Sequence, residues 1–403
     1  MIFVAGSGRI KCMTNQATAE KAELSALQET PLHDVHVELG AKMVDFGGWH
    51  MPLQYSKVKE EHTAVRTAAG LFDVSHMGLV TVNGPDTSLV QQSLNGLIPQ
   101  DLSNTPEGKA VYTQFLNEQG GILDDLIIYH IPQSDTPDSH QAFQQWLVVC
   151  NASNAPNDIA WMKQHLNPEI NVELLSSDFS LLALQGPKFK EILEKTGANL
   201  ESLPSRFHIA SNTLLGKPVM LGRTGYTGED GVEIIVKNDD VKAIWNGLLS
   251  HHETTGILPI GLAARDTLRL EAAYPLHGHD IDPTTSPLAA GLGWSVKLQQ
   301  DGDFIGKAAL VSEKKAGSTQ KFVCLELQSK AIARQFDEIH LDDSKIGTVT
   351  SGSIAPHLNI PIAMGYIEKS SGIKVGDTVQ IAVRNKKIDA LVVKRPFYTL
   401  TSV

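Results

Sequence analysis

The sequence predicts an α+β fold with mainly antiparallel sheets and a β-barrel at its C-terminal end, and three observations carry that expectation. Helical and strand-like stretches follow one another irregularly, without a run of repeated βαβ units, so a doubly wound parallel sheet is not expected. After residue 321 strand patterns dominate and helical ones nearly vanish, as in a small closed barrel. The chain has 403 residues, 42% hydrophobic and 20% charged, an ordinary globular composition for roughly two to three domains at about 150 residues each.

Residues 1–30 read as a loosely attached arm, with Met13 as a second candidate start. The main α+β region runs over 31–311. Within it Glu60 to Ala69 has helical character, while Leu79–Val82, Trp146–Val149 and Val232–Val236 are short, β-branched and strand-like. Val241, Ile244, Trp245 and Leu248 recur at the spacing of one helix face, predicting a helix over 241–251. The small, polar and charged stretch 312–321 reads as a linker. Beyond it, 322–403 forms the barrel domain, with strands at 322–327, 345–350, 362–367, 378–383 and 388–393. The last two make a hairpin across Arg384–Lys387, burying Val379, Ile381 and Val383 with Ile388, Ala390 and Val392.

Composition excludes several classes. A net charge of −11 lacks the basic footprint of a nucleic-acid surface. No apolar run approaches the ~18 residues of a membrane span, and the opening Met-Ile-Phe-Val-Ala is too short for a secretory core. Cys12, Cys150 and Cys324 fit neither a zinc site nor a disulfide framework, which implies a reducing compartment. A bacterial cytoplasmic location is the expectation, ahead of a mitochondrial matrix, since an arginine-rich transit pattern is missing.

Three stretches could carry chemistry. In Gly120-Gly121-Ile122-Leu123-Asp124-Asp125-Leu126-Ile127-Ile128-Tyr129 a glycine turn leads into an apolar strand bearing two adjacent carboxylates. Strand side chains alternate, so the two acids point to opposite faces. One faces solvent or caps the turn, and Asp125 shares a face with Ile127 and Tyr129. Partial desolvation there raises a carboxyl above its usual ~3.9 and suits it to proton handling. A plain Asx-type turn entering a strand is the competing reading. In Arg223-Thr224-Gly225-Tyr226-Thr227-Gly228-Glu229-Asp230-Gly231-Val232-Glu233 the glycines mark a tight loop whose backbone approaches something closely. That loop presents an aromatic ring and, on the strand after it, the Glu233 carboxylate. Solvated acids on a glycine-rich hairpin would look the same. In Gly261–Glu271, Arg265 and Arg269 stand four apart on one helix face, as a clamp for a ligand oxygen or as ion-paired surface charge. The pair His277 and His279, with His33, His36 or His76 recruited, would suit a metal-dependent hydrolase, but no ligand set follows at a recognisable spacing. No metal is therefore expected.

In order along the chain stand Phe46-Gly47-Gly48-Trp49 with Met51-Pro52, then Phe72-Asp73-Val74-Ser75-His76-Met77-Gly78, the Gly-Gly-x-x-Asp-Asp strand and Asn151. Tyr226-Thr227-Gly228-Glu229, Ala264–Glu271, Pro287-Leu288 with Gly293-Trp294, and Val349-Thr350-Ser351-Gly352 follow. With these segments the chain resembles the aminomethyltransferase family, the T-protein of the glycine cleavage system, from about Pro31 to Tyr398.

The resemblance implies three domains around a central channel, with 31–311 as a folate-binding catalytic region of two interleaved subdomains. It implies that Asp125 is the catalytic carboxylate and that Glu233 and Arg265 bind folate. Tyr112, Tyr226 and Trp294 would line the pterin and benzoyl channel, with Asn151 at the site's edge. One carboxylate such as Glu233 can accept both N–H donors of a pterin edge, and Arg265 would hold it ionised. The implied partner is a lipoylated H-protein and the implied co-substrate is tetrahydrofolate, which leaves as 5,10-methylenetetrahydrofolate. Two departures stand out: Ala355 precedes Pro356 where serine is common, and Ala331 to Phe336 matches the barrel loop poorly. A folate-binding relative without transfer activity, serving iron–sulfur cluster maintenance or tRNA modification, is the alternative within the fold. A folate half of a sarcosine-type oxidoreductase would need a Gly-x-Gly-x-x-Gly dinucleotide loop, which the sequence lacks.

Overall fold

A computed structural model describes residues 27–133, 143–300 and 302–400. Most of the expected N-terminal arm, Met13 included, lies outside them. In chain order the strands are β1 (Lys42–Phe46), β2 (Trp49–Gln54), β3 (Gly70–Asp73), β4 (Gly78–Asn83), β5 (Ala110–Leu116), β6 (Ile122–His130) and β7 (Trp146–Cys150). They continue with β8 (Asn171–Leu174), β9 (Phe179–Gln185), β10 (Ile209–Leu214), β11 (Lys217–Gly222), β12 (Gly231–Lys237) and β13 (Leu258–Pro259). The C-terminal set is β14 (Gln320–Leu327), β15 (Glu338–Leu341), β16 (Ser344–Ala355), β17 (Ile360–Glu368), β18 (Thr378–Val383) and β19 (Lys386–Val393).

Alternating burial along these strands builds two sheets that share a core. One sheet runs β5-β6-β7-β4-β8, antiparallel throughout. The other runs β10-β11-β12-β9-β3-β13, antiparallel except for the short β13–β3 pair. Tyr129, Leu147 and Val149 of the first meet Leu181, Ala183, Met220 and Ile235 of the second in one buried cluster. The outer face of the first sheet is covered by the helices Thr87–Asn95 and Ala155–His165. Phe189–Lys195 and Asn238–Leu249 cover the second. The predicted helix face is real: Val241, Ile244, Trp245 and Leu248 are at most 1% exposed.

The C-terminal strands close into a six-stranded barrel, β14-β17-β16-β15-β18-β19, through the β14–β19 pair. The predicted hairpin is present, with Val383 opposite Lys386. Two expectations change here. Residues 312–316 are the end of a helix, Lys307–Ala316, and β14 starts at Gln320, so the linker shrinks to 317–319. Lysines and acids on an exposed face look the same in a solvated helix as in a loop. The short β15 gave no pattern, because four residues pairing on both edges show little alternation. The barrel docks on the first region through Asp280, whose carboxylate accepts from Arg269 Nη1 (2.6 Å) and Ser351 Oγ (3.0 Å). Its backbone oxygen accepts from the Tyr366 hydroxyl (2.7 Å).

Candidate active site

β6 carries the two carboxylates to opposite faces, as strand geometry requires. Asp124 is fully buried on the face of Leu126 and Ile128, so the expectation of a solvent-facing or turn-capping acid fails. Its Oδ2 accepts the Asn151 backbone N–H (3.0 Å), and its Oδ1 accepts from the side chains of Asn151 (2.8 Å) and Asn154 (2.6 Å). Both asparagines sit where β7 turns into the helix Ala155–His165. On that helix Asp158, 3% exposed, donates to Asp124. Burial and the Asp124 charge hold the Asp158 carboxyl far above the usual range, so it keeps its proton.

Asp125 is half-buried on the other face. Tyr112 lies on β5 opposite Ile127, a diagonal neighbour on the same face, and its hydroxyl donates to Asp125 Oδ2 (3.0 Å). Asn151 Nδ2 donates to Oδ1 (3.0 Å). Asn151 therefore links the two carboxylates directly. Desolvation, then the neighbouring Asp124 charge, pushes the Asp125 carboxyl up to about 6, against its hydrogen bonds. The Tyr112 ring stacks on Trp294 at 5.5 Å between centroids. Trp294 itself is 60% exposed, so it forms a rim and not an enclosed wall.

The glycine-rich loop delivers the other half. A Cβ at Gly225 would lie 2.0 Å from Gln185 Oε1, and one at Gly231 would lie 2.3 Å from the Leu184 oxygen. The close approach inferred from sequence is therefore to β9 of the protein's own sheet. The loop holds Tyr226 by its hydroxyl on the Pro275 oxygen (2.6 Å). Arg265 lies over the Tyr226 ring at 4.9 Å, and the Asp125 charge raises the Tyr226 phenol further after burial has done so. Asp125, Tyr226, Arg265 and Glu233 thus form one neighbourhood.

The two arginines of the helix Leu262–Glu271 separate in role. Arg269 is buried and fully paired, with Asp266 (2.7 Å) and Asp280 (2.6 Å), and ties the helix to the barrel. Arg265 makes no ion pair within 4.0 Å among the described residues. Glu233 is near enough only to oppose electrostatically the lowering that burial imposes on Arg265. Glu233 Oε2 instead accepts from Thr224 Oγ1 (2.5 Å), with the Tyr129 hydroxyl farther off at 3.3 Å. Glu229 of the loop pairs with buried Arg66 (3.0 Å) and belongs to the scaffold.

The histidines do not converge as the hydrolase reading requires. His277 Nδ1 accepts from Asn154 Nδ2 (2.9 Å), which leaves its proton on Nε2, facing the Ile122 oxygen at 3.3 Å. His36 is bound to Asp73 and Tyr55. Among the described residues, metal-type donors cluster only at Glu29, His33 and His50. There the two imidazole nitrogens lie 2.9 Å apart, with ring centroids at 5.1 Å. That separation is in line with N–H···N bonding between rings aimed at each other and not at a third point. Asn154, Asp158, Tyr129 and Thr224 escaped the sequence reading. The repeat of Asn three positions after Asn151, at a strand-to-helix junction, was the one available signal.

Comparison with known proteins covers nearly the whole chain. Residues 32–300 match the family model for the GCVT N-terminal domain, and 320–399 match the glycine cleavage T-protein C-terminal barrel domain. An aminomethyltransferase of Nostoc sp. is 42% identical over 381 residues, 94% of this chain and 98% of that one. One from Bacillus subtilis is 40% identical over 373 residues, 92% and 99% of the two chains. The crystal structure of glycine cleavage system aminomethyltransferase T from Bartonella henselae superposes with a TM-score of 0.83 at 34% identity. It covers 92% of this chain and 98% of that one.

Proposed function

Because the chain belongs to the glycine cleavage T-protein family of aminomethyltransferases, we propose that Asp125 is the catalytic carboxylate of a tetrahydrofolate-dependent aminomethyl transfer. The donor in this reading is an S-aminomethyldihydrolipoyl arm on a lipoylated H-protein. A nitrogen of reduced folate attacks the methylene and ammonia leaves. The second folate nitrogen then closes on the same carbon as the lipoyl sulfur departs as a thiol. The products are 5,10-methylenetetrahydrofolate, ammonia and dihydrolipoyl H-protein.

The observation that carries the reading is the Asp125 carboxylate, oriented by Tyr112 and Asn151 and raised to about 6 by burial and the neighbouring Asp124 charge. A carboxylate so placed orients the attacking nitrogen and stabilises the positive charge that grows on it. Its raised proton affinity also suits it to accept a proton near neutrality. Glu233 accepts the two N–H donors of the pterin edge. Arg265, with its guanidinium donors uncommitted, takes a ligand oxygen or carboxylate. Tyr112, Tyr226 and Trp294 flank the flat rings, and Asn151 acts on folate chemistry through its hold on Asp125.

Activity needs the ionised carboxylate, so kcat is expected to fall as pH drops through about 6, the value to which Asp125 is raised. A pH–rate profile at saturating folate and H-protein measures this. A flat profile down to pH 5 would remove Asp125 from the chemical step. The chemistry requires no Lewis acid, so activity should survive exhaustive chelation. Loss on chelation, restored by one added metal, would contradict that. A nucleic-acid or membrane partner forms no part of the reading. The net charge is −11, and no helix among the described residues is long and apolar enough to cross a membrane. A bacterial cytoplasmic site of action accords with the free Cys150 and Cys324 thiols.

A further inference from the structure

Behind Glu233 lies a chain of hydroxyls that no part of the reaction scheme uses. Tyr129 is 1% exposed and comes from β6, four residues beyond Asp125 on the same strand. Its hydroxyl lies 2.5 Å from Thr224 Oγ1, which in turn lies 2.5 Å from Glu233 Oε2. The two sheets therefore meet at this point through polar atoms, inside a cluster that is otherwise apolar.

Proton bookkeeping gives the chain a direction. Each hydroxyl has one proton to donate. Burial, then the Glu233 charge, raises the Tyr129 phenol well above its ordinary value, so its proton stays. A buried donor must find an acceptor, and the oxygens near that phenol are Thr224 Oγ1 and, farther off, Glu233 Oε2. Thr224 gives its single proton to Glu233 at 2.5 Å, and the Tyr129 proton goes to the nearer of its two acceptors, Thr224 Oγ1.

We propose that Thr224 is a positioning residue for folate recognition, oriented by Tyr129, and that the pair fixes Glu233 Oε2 as the accepting end of the chain, with the carboxylate facing the pterin N–H edge. The inference rests on the reading of Glu233 as the pterin acceptor. Bonds from donors to a charged acceptor are stronger than neutral ones and reinforce one another along a chain. Held in this way, the Glu233 carboxylate loses little rotamer freedom when ligand arrives. The backbone leaves space for the arrangement: a Cβ at Gly222 would stand 2.8 Å from the Tyr129 hydroxyl.

The test is calorimetric binding of tetrahydrofolate to the full chain, with kcat measured at saturating folate. Thr224→Val keeps the β-branched shape and deletes the donor. It should weaken binding by about tenfold or more, the effect of one bond to a charged group, with kcat nearly unchanged. Tyr129→Phe leaves Thr224 bonded to Glu233 but no longer oriented, so a smaller loss, a few-fold, is expected. Thr224→Ser restores the donor and should bind as the parent does. That rescue separates positioning from mere packing, which Ser would disturb more than Val. Parent-like affinity in Thr224→Val, or equal weakening in Thr224→Ser, would overturn the proposal. Glu233→Gln run beside them keeps the two readings apart. If it binds folate normally, the pterin assignment fails. If it weakens binding while Thr224→Val does not, the relay alone fails.

Discussion

Asp125→Asn is expected to lower kcat by about 10²-fold or more while leaving tetrahydrofolate affinity near that of the parent. The substitution keeps the size of the side chain and removes its charge. Tyr112 and Asn151 can still hold an amide, since the hydroxyl rotates to accept where it had donated. What disappears is the field that stabilises positive charge on the attacking nitrogen, a quantity that counts only as the bond forms. The same mutant should be more stable than the parent at neutral pH. Folding raises this carboxyl from 3.8 to about 6, so the folded protein binds the proton more tightly than the unfolded chain does. Ionisation therefore opposes folding. That penalty is full above pH 6, shrinks as pH falls from 6 to 3.8 and is absent below. Denaturant unfolding at pH 8 and pH 4 measures the difference. Near-normal turnover in Asp125→Asn, with Asp124→Asn inactive, would assign the chemistry to the other acid.

Glu233→Gln should act on binding and not on turnover. A carboxylate accepts at both oxygens; the amide accepts at one and donates at the other. Thr224 already points a donor at Oε2, so the amide oxygen will take that position and its NH₂ will face a pterin N–H. The mismatch costs about 1–3 kcal/mol, or roughly 5- to 150-fold in affinity. Calorimetry with tetrahydrofolate reads this directly, and unchanged affinity would place the pterin elsewhere. Together the two mutants separate the halves of the site: one loses chemistry with binding retained, the other loses binding with chemistry retained at saturation.

Much of this was legible in the order of residues because it depends on local rules. Alternation along β6 sends adjacent acids to opposite faces, whatever packs against them. Spacing in 241–248 specifies a buried helix face, and the β18–β19 hairpin follows from two alternating runs around a short turn. Periodicity fails where the same pattern serves two structures. The charged stretch ending at Ala316 is helix and not linker, and β15 is too short to show a period.

Tertiary structure decided which of several equivalent polar residues does what. Nothing local distinguishes Arg265 from Arg269, one turn apart on one helix; Asp280 and the barrel's Ser351 bind Arg269, while Arg265 has no carboxylate within ion-pair distance among the described residues. Asp124 looked like the solvent-facing acid, and it became a buried hub because Asn151, Asn154 and Asp158 arrive from another element. Glu233 takes its donor from Thr224, nine positions earlier, and Thr224 is oriented by Tyr129, more than a hundred positions before Glu233 in the chain. Sequence by itself determined the acids, the aromatic residues and the strands that carry them, since backbone geometry and side-chain chemistry are local properties. The charge state and orientation of each group depend on desolvation and on partners distant in the chain, and those exist only once the two sheets and the barrel have closed around them.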